Sequence, residues 1–475
     1  MNYLLGIDDT DSRFGHCTTH LGYLMVCELA RIGCVLPTYP RLVRLNPNVP
    51  FKTRGNAAVC VEFEARSDHL RDVAFKAAER LLEAEADVAN GANSALIMAS
   101  KDASDDLGIF RKVYQRAVNG VIGYKGVIGA ISKMGIPHRL LGNGMGVVGA
   151  AASLGFSCAF DDHTYELIAY RKPENCGRPR EVRPQSVKAM ETETFPHTFN
   201  SYDHESGRVL IAPTGPDPVL AGIRGDSPQT VLGAFRRISL GEEPLGHLVY
   251  ATNQCTDAHL TERLATPLKT FSAGWLEGTI LSARPIQGGH LMVELCLDDS
   301  STVNCMVYEP SGDLRRVARF LMPGDLVRVS GGVRRASSKN PIVINVEKID
   351  VLAVSTVAIK TNPRCAICGG GMKSEGKSKG FQCRTCGHKS AEPARQKRGP
   401  KVTARGIYPG KYLPSPRAQR HLTKQLIRYG RERAGIHVLI EGWMNAPSIS
   451  RLGGPQTSAQ MLGTSPKNQL QNQMA

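Results

Sequence analysis

Two sets of residues have the type and spacing to do chemistry. Cys365, Cys368, Cys383 and Cys386 form two Cys-x-x-Cys pairs separated by the fourteen-residue span GGGMKSEGKSKGFQ. Each pair fits a tight turn, and four thiolates so placed suit tetrahedral Zn²⁺. A Gly- and Lys-rich span offers no core that could bury them without metal. Four protein ligands leave no open position, so the zinc is expected to be structural. The span also carries Lys373, Lys377 and Lys379, which could meet phosphates.

The second set lies near the start, where GIDDTDS places Asp8, Asp9 and Asp11 on a turn leaving an apolar strand. Clustered carboxylates repel one another unless a cation neutralises them, which points to a hard divalent ion such as Mg²⁺. Asp-rich turns also serve as helix caps or solvated loops, and the bare pattern does not decide between these. Its company does more. GHCTTHLG puts Thr18 and Thr19 at the start of a helix, where free N–H groups favour phosphate. NPNVPFKTRGN adds Lys52 and Arg54 on a loop. Carboxylates for a metal, a helix N-terminus and a Lys/Arg pair are the parts of a phosphoryl-transfer site. No Walker A sequence is present, so an ATP site here would not be a P-loop. The glycine cluster GNGMG (142–146), the polar run TNQCTDAHL with Asn253, Thr256, Asp257 and His259, and Glu166 in YELIAY read equally as a turn, a capped helix start and an outward strand residue. No nucleophile elbow or triad is recognisable.

The elements that must position these residues follow from hydrophobic period. Short β-branched runs predict strands at 3–7, 41–45, 57–64 and 95–98, and 3.6-residue apolar spacing predicts helices at 18–32 and 67–85, an order βαββαβ. Further helix, an Ala-rich helix after GNGMG and a strand at 165–170 extend this unit. The Pro- and Arg-rich stretch 172–185 reads as a surface loop or linker. A small αβ unit from Arg208 carries RVLIAP, PVLAGIRG, a helix at 228–238 and a strand at 248–251.

Residues 273–353 then alternate as a small barrel requires, with a helix at 314–320 between the third and fourth of five strands, the OB order. OB surfaces bind single strands through basic grooves and stacking aromatics, for which Trp275 and Tyr308 are the candidates. The zinc motif follows, then a basic, proline-containing segment to about Arg433 and a tail rich in Gly, Ser, Gln and Asn, its last thirty residues expected to be disordered. The length of 475 residues argues for several modules. The net charge of +16 exceeds what solubility needs and favours nucleic acid as partner. No apolar stretch approaches the roughly 20 residues of a membrane span and no signal sequence is evident, so a cytoplasmic location is expected. Thirteen scattered cysteines fit reduced thiols better than a disulfide framework.

Taken in order, GIDDTDS, CTTHLG, NPNVPFKTRGNAAV, YELIAYR, PDPVLAGIRG, TNQCTDAHL, the OB-like segment, the two Cys-x-x-Cys pairs and PSPRAQRHLTKQLIR resemble the archaeal isoleucine-tRNA 2-agmatinylcytidine synthetases. The resemblance runs to about Arg428. It implies an α+β multidomain ligase: an ATP-binding kinase-like catalytic domain (1–190), a ferredoxin-like domain (191–268), an OB-fold barrel (269–355), a zinc ribbon (360–392) and a basic extension with a disordered tail (393–475). The implied reaction joins agmatine to C2 of the wobble cytidine of isoleucine tRNA with a CAU anticodon, so that it reads AUA, with release of AMP and pyrophosphate. The base would be activated by phosphorylation, and a threonine of the CTT motif, here Thr18, would itself be phosphorylated. Carried onto this chain, Asp8, Asp9 and Asp11 would hold Mg²⁺ and the ATP phosphates, and Lys52 and Arg54 would neutralise triphosphate charge. Trp275, Lys373, Lys377 and Lys379 would contact RNA, and Glu166 or Asp217 would meet the agmatine guanidinium. The alternative left by the residues alone is a non-catalytic single-stranded RNA- or DNA-binding protein.

Overall fold

The computed structural model describes residues 1–102, 104–337, 341–355, 362–376, 379–390 and 405–446. The chain divides into two units, one of Met1–Glu262, Phe271–Ala273 and the segment from Arg420, the other of Arg263–Thr270 and Gly274–Gln419.

The first unit opens with β1 (Asn2–Asp8), α1 (Thr18–Arg31), β2 (Arg41–Arg44), β3 (Ala57–Glu64), α2 (Asp68–Glu85), β4 (Ala95–Ser100), α3 (Ser104–Ala117), α4 (Tyr124–Lys133), β5 (His138–Leu140) and α5 (Val147–Gly155). It continues through β6 (Thr164–Tyr170), α6 (Pro184–Thr194), β7 (Thr198–Phe199), β8 (Tyr202–Asp203), β9 (Arg208–Val209), β10 (Val219–Gly225), α7 (Pro228–Phe235) and β11 (Gly246–Thr252). The main sheet runs β5-β4-β1-β3-β2-β11-β6-β10-β7, and Met444–Asn445 adds a short strand to β11. Strands from both sides of residue 190 therefore share one sheet, joined where β11 pairs in parallel with β2.

Alternation along the strands builds two cores. Leu4, Val43 and Ile97 face the Ala-rich α5 with Phe110 of α3, while Leu5, Ile7, Val59 and Val61 face Leu21 and Val26 of α1. Helices cover both faces, so the central strands are buried throughout. The segment 172–185 holds only a 3-10 turn at Pro173–Asn175 and a bridge from Val182 to Leu240 before Pro184, where α6 begins with proline in its first turn. That start signal is the one a composition-based reading of a Pro/Arg-rich linker passes over.

The second unit contains β12 (Ala273–Pro285), β13 (Leu291–Cys296), β14 (Thr302–Val307), α8 (Asp313–Ala318), β15 (Leu326–Arg334), β16 (Val343–Ala353), β17 (Met372–Ser374), β18 (Phe381–Cys383), β19 (Lys389–Ser390) and β20 (Gly410–Tyr412). Its larger sheet runs β14-β13-β12-β15-β16-β20, and β14 also pairs in parallel with β16 through Cys305 and Ile344. β17, β18 and β19 form a separate three-stranded sheet.

The segment after the cysteines is divided. β20 extends the second unit's sheet, whereas Arg420–Ala446 belongs to the first unit. There Trp443 packs on the core, and Arg428, fully buried, meets Asp162 at 2.7 Å and Asp226 at 3.5 Å. The expectation of disorder falls on a tail that lies, apart from its first residue, outside the described residues.

Candidate functional site

A cavity of about 870 Å³ in the first unit is lined by Asp8, Asp9, Asp11, Thr18, Lys52 and Arg54 together. Glu166 and Asp217 line it too, as do Met145 and Gly146 of the GNGMG turn. The sequence-derived candidates of the N-terminal region thus converge on one space, although they come from β1, α1 and the β2–β3 loop.

One wall is acidic. Asp8 ends β1, and Asp9 follows in the left-handed region with φ 57°. Its carboxylate accepts from the Asn93 backbone at 3.2 Å and its carbonyl from Ser94 Oγ at 2.6 Å, which fixes the turn. Asp11 accepts from Thr53 Oγ1 at 2.9 Å and lies 3.5 Å from Arg54. Burial, with repulsion from its acidic neighbours, raises Asp8 well above the usual carboxylate range and Asp9 to about 6. Burial also raises Asp11, against the pull of Arg54 and Thr53. Carboxylates driven toward the neutral form by burial and one another are a donor set that a hard divalent cation would relieve, so the residues fit Mg²⁺. The wall needs Gly149: a Cβ there would sit 1.8 Å from Asp8 Oδ2, so only glycine lets α5 approach the carboxylate.

The N-terminus of α1 opens beside this wall. Its N-cap, Cys17, makes no side-chain capping bond, which leaves the first-turn N–H groups for an anion. Thr18 Oγ1 lies 3.1 Å from Thr10 Oγ1. Arg54 donates to the carbonyls of Ser12 at 3.0 Å, Gly15 at 3.1 Å and His16 at 2.8 Å. It therefore ties the aspartate loop to the CTT turn while facing the cavity.

The other wall is cationic, and most of it was not singled out from the sequence. Arg44, Arg224 and His421 line the cavity with Lys52. Arg44 ends β2 and is held by Asn253, whose side chain accepts from its N–H at 2.7 Å and donates to its carbonyl at 2.8 Å. Gln254 donates to Glu166, and Cys255 N–H donates to the His421 carbonyl at 2.9 Å. The TNQC run is thus the strip that positions the cationic wall. Glu166 sits within it, 3.2 Å from Arg224 and 3.8 Å from Arg44. Asp217 accepts from Arg180 at 3.2 Å through Oδ1, while Oδ2 lies 4.0 Å from Arg54. Burial, then the nearby Arg420 and Arg44, lowers Lys52, and burial lowers Arg44 with Arg224 adding to it. Cations crowded in this way favour an incoming anion.

In the second unit the four cysteine sulfurs lie within 4.8 Å of one another, with Cys365 and Cys386 at 3.6 Å and Cys368 and Cys383 at 3.4 Å. Tetrahedral Zn–S bonds of about 2.3 Å place sulfurs about 3.8 Å apart, so the set fits zinc. Backbone N–H groups lower the Cys365 thiol and bring Cys383 to about 6, favouring the thiolate at these two, while Cys386, hydrogen-bonded to the other cysteines, is pushed up to about 12. Lys373 and Lys379 are exposed beside it, whereas Lys377 lies outside the described residues. Trp275 is half-buried, with the Arg328 guanidinium 4.3 Å over its ring.

An acidic wall able to take a cation, an uncapped helix start and a facing cationic wall are the features that a polyphosphate substrate would need, and they are carried on a multidomain α+β chain with a four-cysteine centre. Comparison with known proteins agrees. Family models described as the TiaS TCKD domain, the TiaS FLD domain and the TiaS C-terminal zinc ribbon domain match residues 4–102, 144–259 and 362–399. The isoleucine-tRNA 2-agmatinylcytidine synthetase TiaS of Cenarchaeum symbiosum is 38% identical, covering 90% of this chain and 93% of its own length. That of Methanosarcina mazei is 37% identical, covering 90% and 97%. The crystal structure of apo TiaS superposes with a TM-score of 0.78 at 32% identity over 93% of this chain and 99% of that one. A crystal structure of TiaS in complex with its isoleucine tRNA, AMPCPP and agmatine gives 0.75 at 30% identity, over 93% and 98%. The chain belongs to the TiaS family of isoleucine-tRNA 2-agmatinylcytidine synthetases.

Proposed function

We propose that the cavity between the acidic and cationic walls is where ATP, the wobble cytidine and agmatine meet. The chain is an enzyme that forms a carbon–nitrogen bond, the ATP-dependent attachment of agmatine to C2 of the wobble cytidine of isoleucine tRNA with a CAU anticodon, so that the tRNA decodes AUA. Near-full-length relatives and complexes of the same family with tRNA, ATP and agmatine set aside the non-catalytic RNA- or DNA-binding reading.

The observation that carries the site assignment is the convergence of Asp8, Asp9, Asp11, Thr18, Lys52 and Arg54 on one cavity. In this reading the three aspartates would hold Mg²⁺ beside the ATP phosphates, where such an ion would supply charge stabilisation to phosphoryl transfer. Lys52 neutralises the triphosphate, and Arg54 does so while clamping the two loops. Thr18, at the α1 N-terminus, is the hydroxyl placed to accept phosphate. A cytosine C2 oxygen is a poor leaving group, and as a phosphate ester it is displaced by an amine at a lower barrier. The base, in a loop, can be splayed into the cavity at less cost than one in a duplex. The cationic wall repels the agmatine guanidinium. Of the two carboxylates considered for it, both Glu166 oxygens are already engaged, by Arg224 and Gln254, whereas among the described residues Asp217 Oδ2 has only Arg54 at 4.0 Å. Asp217 is the better partner.

We read the N-terminal part of the first unit as kinase-like (1–190), the later part as ferredoxin-like (191–268), and the second unit as an OB fold (269–355) followed by the ribbon (360–392). The β14–β16 pairing, which returns the five-strand path to its start, supports the OB reading. Trp275, Lys373, Lys377 and Lys379 are its proposed RNA contacts, with zinc structural. No helix among the described residues is long and apolar enough to cross a membrane. The cytoplasm, where its tRNA substrate resides, is the proposed location.

Incubation with ATP, labelled agmatine and unmodified CAU transcript tests this. Label enters the anticodon loop with the native chain and not when Asp8, Asp9 and Asp11 are all alanine; full incorporation by that variant refutes the site. D217N should raise the agmatine KM by about 10- to 100-fold, the loss of one charge-assisted hydrogen bond, and more than E166Q does.

A further inference from the structure

His421 reaches the cavity from the segment that follows the second unit in sequence, and its hydrogen bonding fixes what it can do. Nδ1 lies 3.0 Å from Nη2 of Arg224. A guanidinium has only donors, so Nδ1 accepts, and a neutral imidazole in this position carries its proton on Nε2. The main chain is pinned by Cys255 N–H. Nε2 has no hydrogen-bond partner among the described residues, and the ring lines the cavity. Gly55 makes room: a Cβ there would lie 2.3 Å from Arg44 Nη1 and 3.2 Å from His421 Nε2. The Arg44 Nε is buried and lacks a partner among the described residues. Arg44 above all, then burial, Arg224, Lys52 and Arg420, pushes the imidazole well below its ordinary range, so the ring stays neutral.

A neutral ring whose single lone pair is spent on Arg224 is neither a base nor a cation. It is a donor, preset among guanidinium groups. We propose that His421 is a catalytic residue of the known reaction, its Nε2–H donating, beside Arg44, to the phosphoryl group carried on C2 of the cytosine. During displacement the agmatine nitrogen bonds to C2, the C2–O bond breaks and its electron pair leaves on the phosphate oxygen. The amine proton passes to the departing phosphate. His421 keeps its own proton throughout and stabilises the charge gathering on that oxygen, as a preorganised donor does. The inference rests on the cavity being the site of base activation.

The test compares H421A, H421Q and H421M with the native enzyme and with D9N, measuring kcat, agmatine KM, tRNA affinity and melting temperature. H421A and H421M are expected to lower kcat by about 10²- to 10³-fold, the loss of one oxyanion donor, with agmatine KM and tRNA affinity within about threefold of native. H421Q, whose amide N–H reaches toward the place of Nε2–H, should recover most of the rate. The inference is overturned if H421A keeps kcat within about threefold, if H421Q falls as far as H421M, or if the loss appears in KM alone. Should H421A fail to fold, the H421Q and H421M pair, alike in length, decides. Full activity in D9N would refute the cavity reading itself; an inactive D9N beside a fully active H421A refutes only the role of His421.

Discussion

The two centres of this chain are encoded in opposite ways. The four cysteines occupy 22 consecutive residues, 365–386, and their geometry follows from two tight turns and a three-stranded sheet. The cavity draws on residues from Asp8 to His421, and none of its walls exists until the large sheet has formed. A metal centre of the first kind contributes folding energy to its own small module. A site of the second kind depends on packing far from the chemistry, as at Gly149 and Asn253. Substitutions should therefore separate the two: ribbon changes should act on RNA affinity with the cavity intact, and cavity changes should act on rate with RNA affinity intact.

The largest expected effect is that of D9N, a fall in kcat of at least about 10³-fold from loss of one of the carboxylates proposed to hold Mg²⁺, with zinc content and tRNA affinity unchanged. Next is G149A. Its methyl group must displace Asp8, and a misplacement of about 1 Å costs on the order of 10²-fold in rate; native kcat in G149A would show that the α5 approach does not set the carboxylate position. C368S, or chelation of zinc, should unfold the ribbon and weaken tRNA binding by about 10- to 100-fold, measured by filter binding, while ATP affinity holds. A loss of ATP affinity in that experiment would break the comparison.

The smallest effect is a pH dependence. Asp9 is raised to about 6 in the folded chain, above its ordinary value of about 3.9. The folded apo state thus binds this proton more tightly than the unfolded state. The associated stability is present at low pH and is lost as pH rises through about 6. On the proposed role of Asp9, Mg²⁺–ATP binds its carboxylate form, so the affinity should fall below that pH by up to about tenfold per unit, and D9N should flatten this part of the slope in calorimetric titration.

The same contrast explains what was legible in the sequence. Strand 57–64 and the start of α1 at Thr18 were readable because hydrophobic period and N-terminal signals are local. The cysteine set was readable from spacing alone. Asp8, Asp9, Asp11, Lys52 and Arg54 could be singled out because charged residues on short loops beside strands are conspicuous. Arg44 was not, because within RLVR it looks like a charged residue closing a short apolar strand, and nothing nearby shows that Asn253 will seat it. Arg224 in LAGIRG is hidden in the same way. His421 stands in PSPRAQRHLTKQLIR, a run conspicuous enough to mark the family resemblance. Its place in the cavity depends on residues 420–446 packing within the first unit, which no local pattern reveals. The α6 helix was missed for a different reason, since its proline start sits in a stretch whose composition reads as loop.

The most direct test follows labelled γ-phosphate from ATP in the presence of CAU-anticodon tRNA and the absence of agmatine. Label should appear on the wobble cytidine with the native enzyme, should be absent with D9N, and should leave the RNA when agmatine is added. RNA that stays unlabelled with an active native enzyme, or that is labelled equally by D9N, would contradict the assignment of base activation to this cavity.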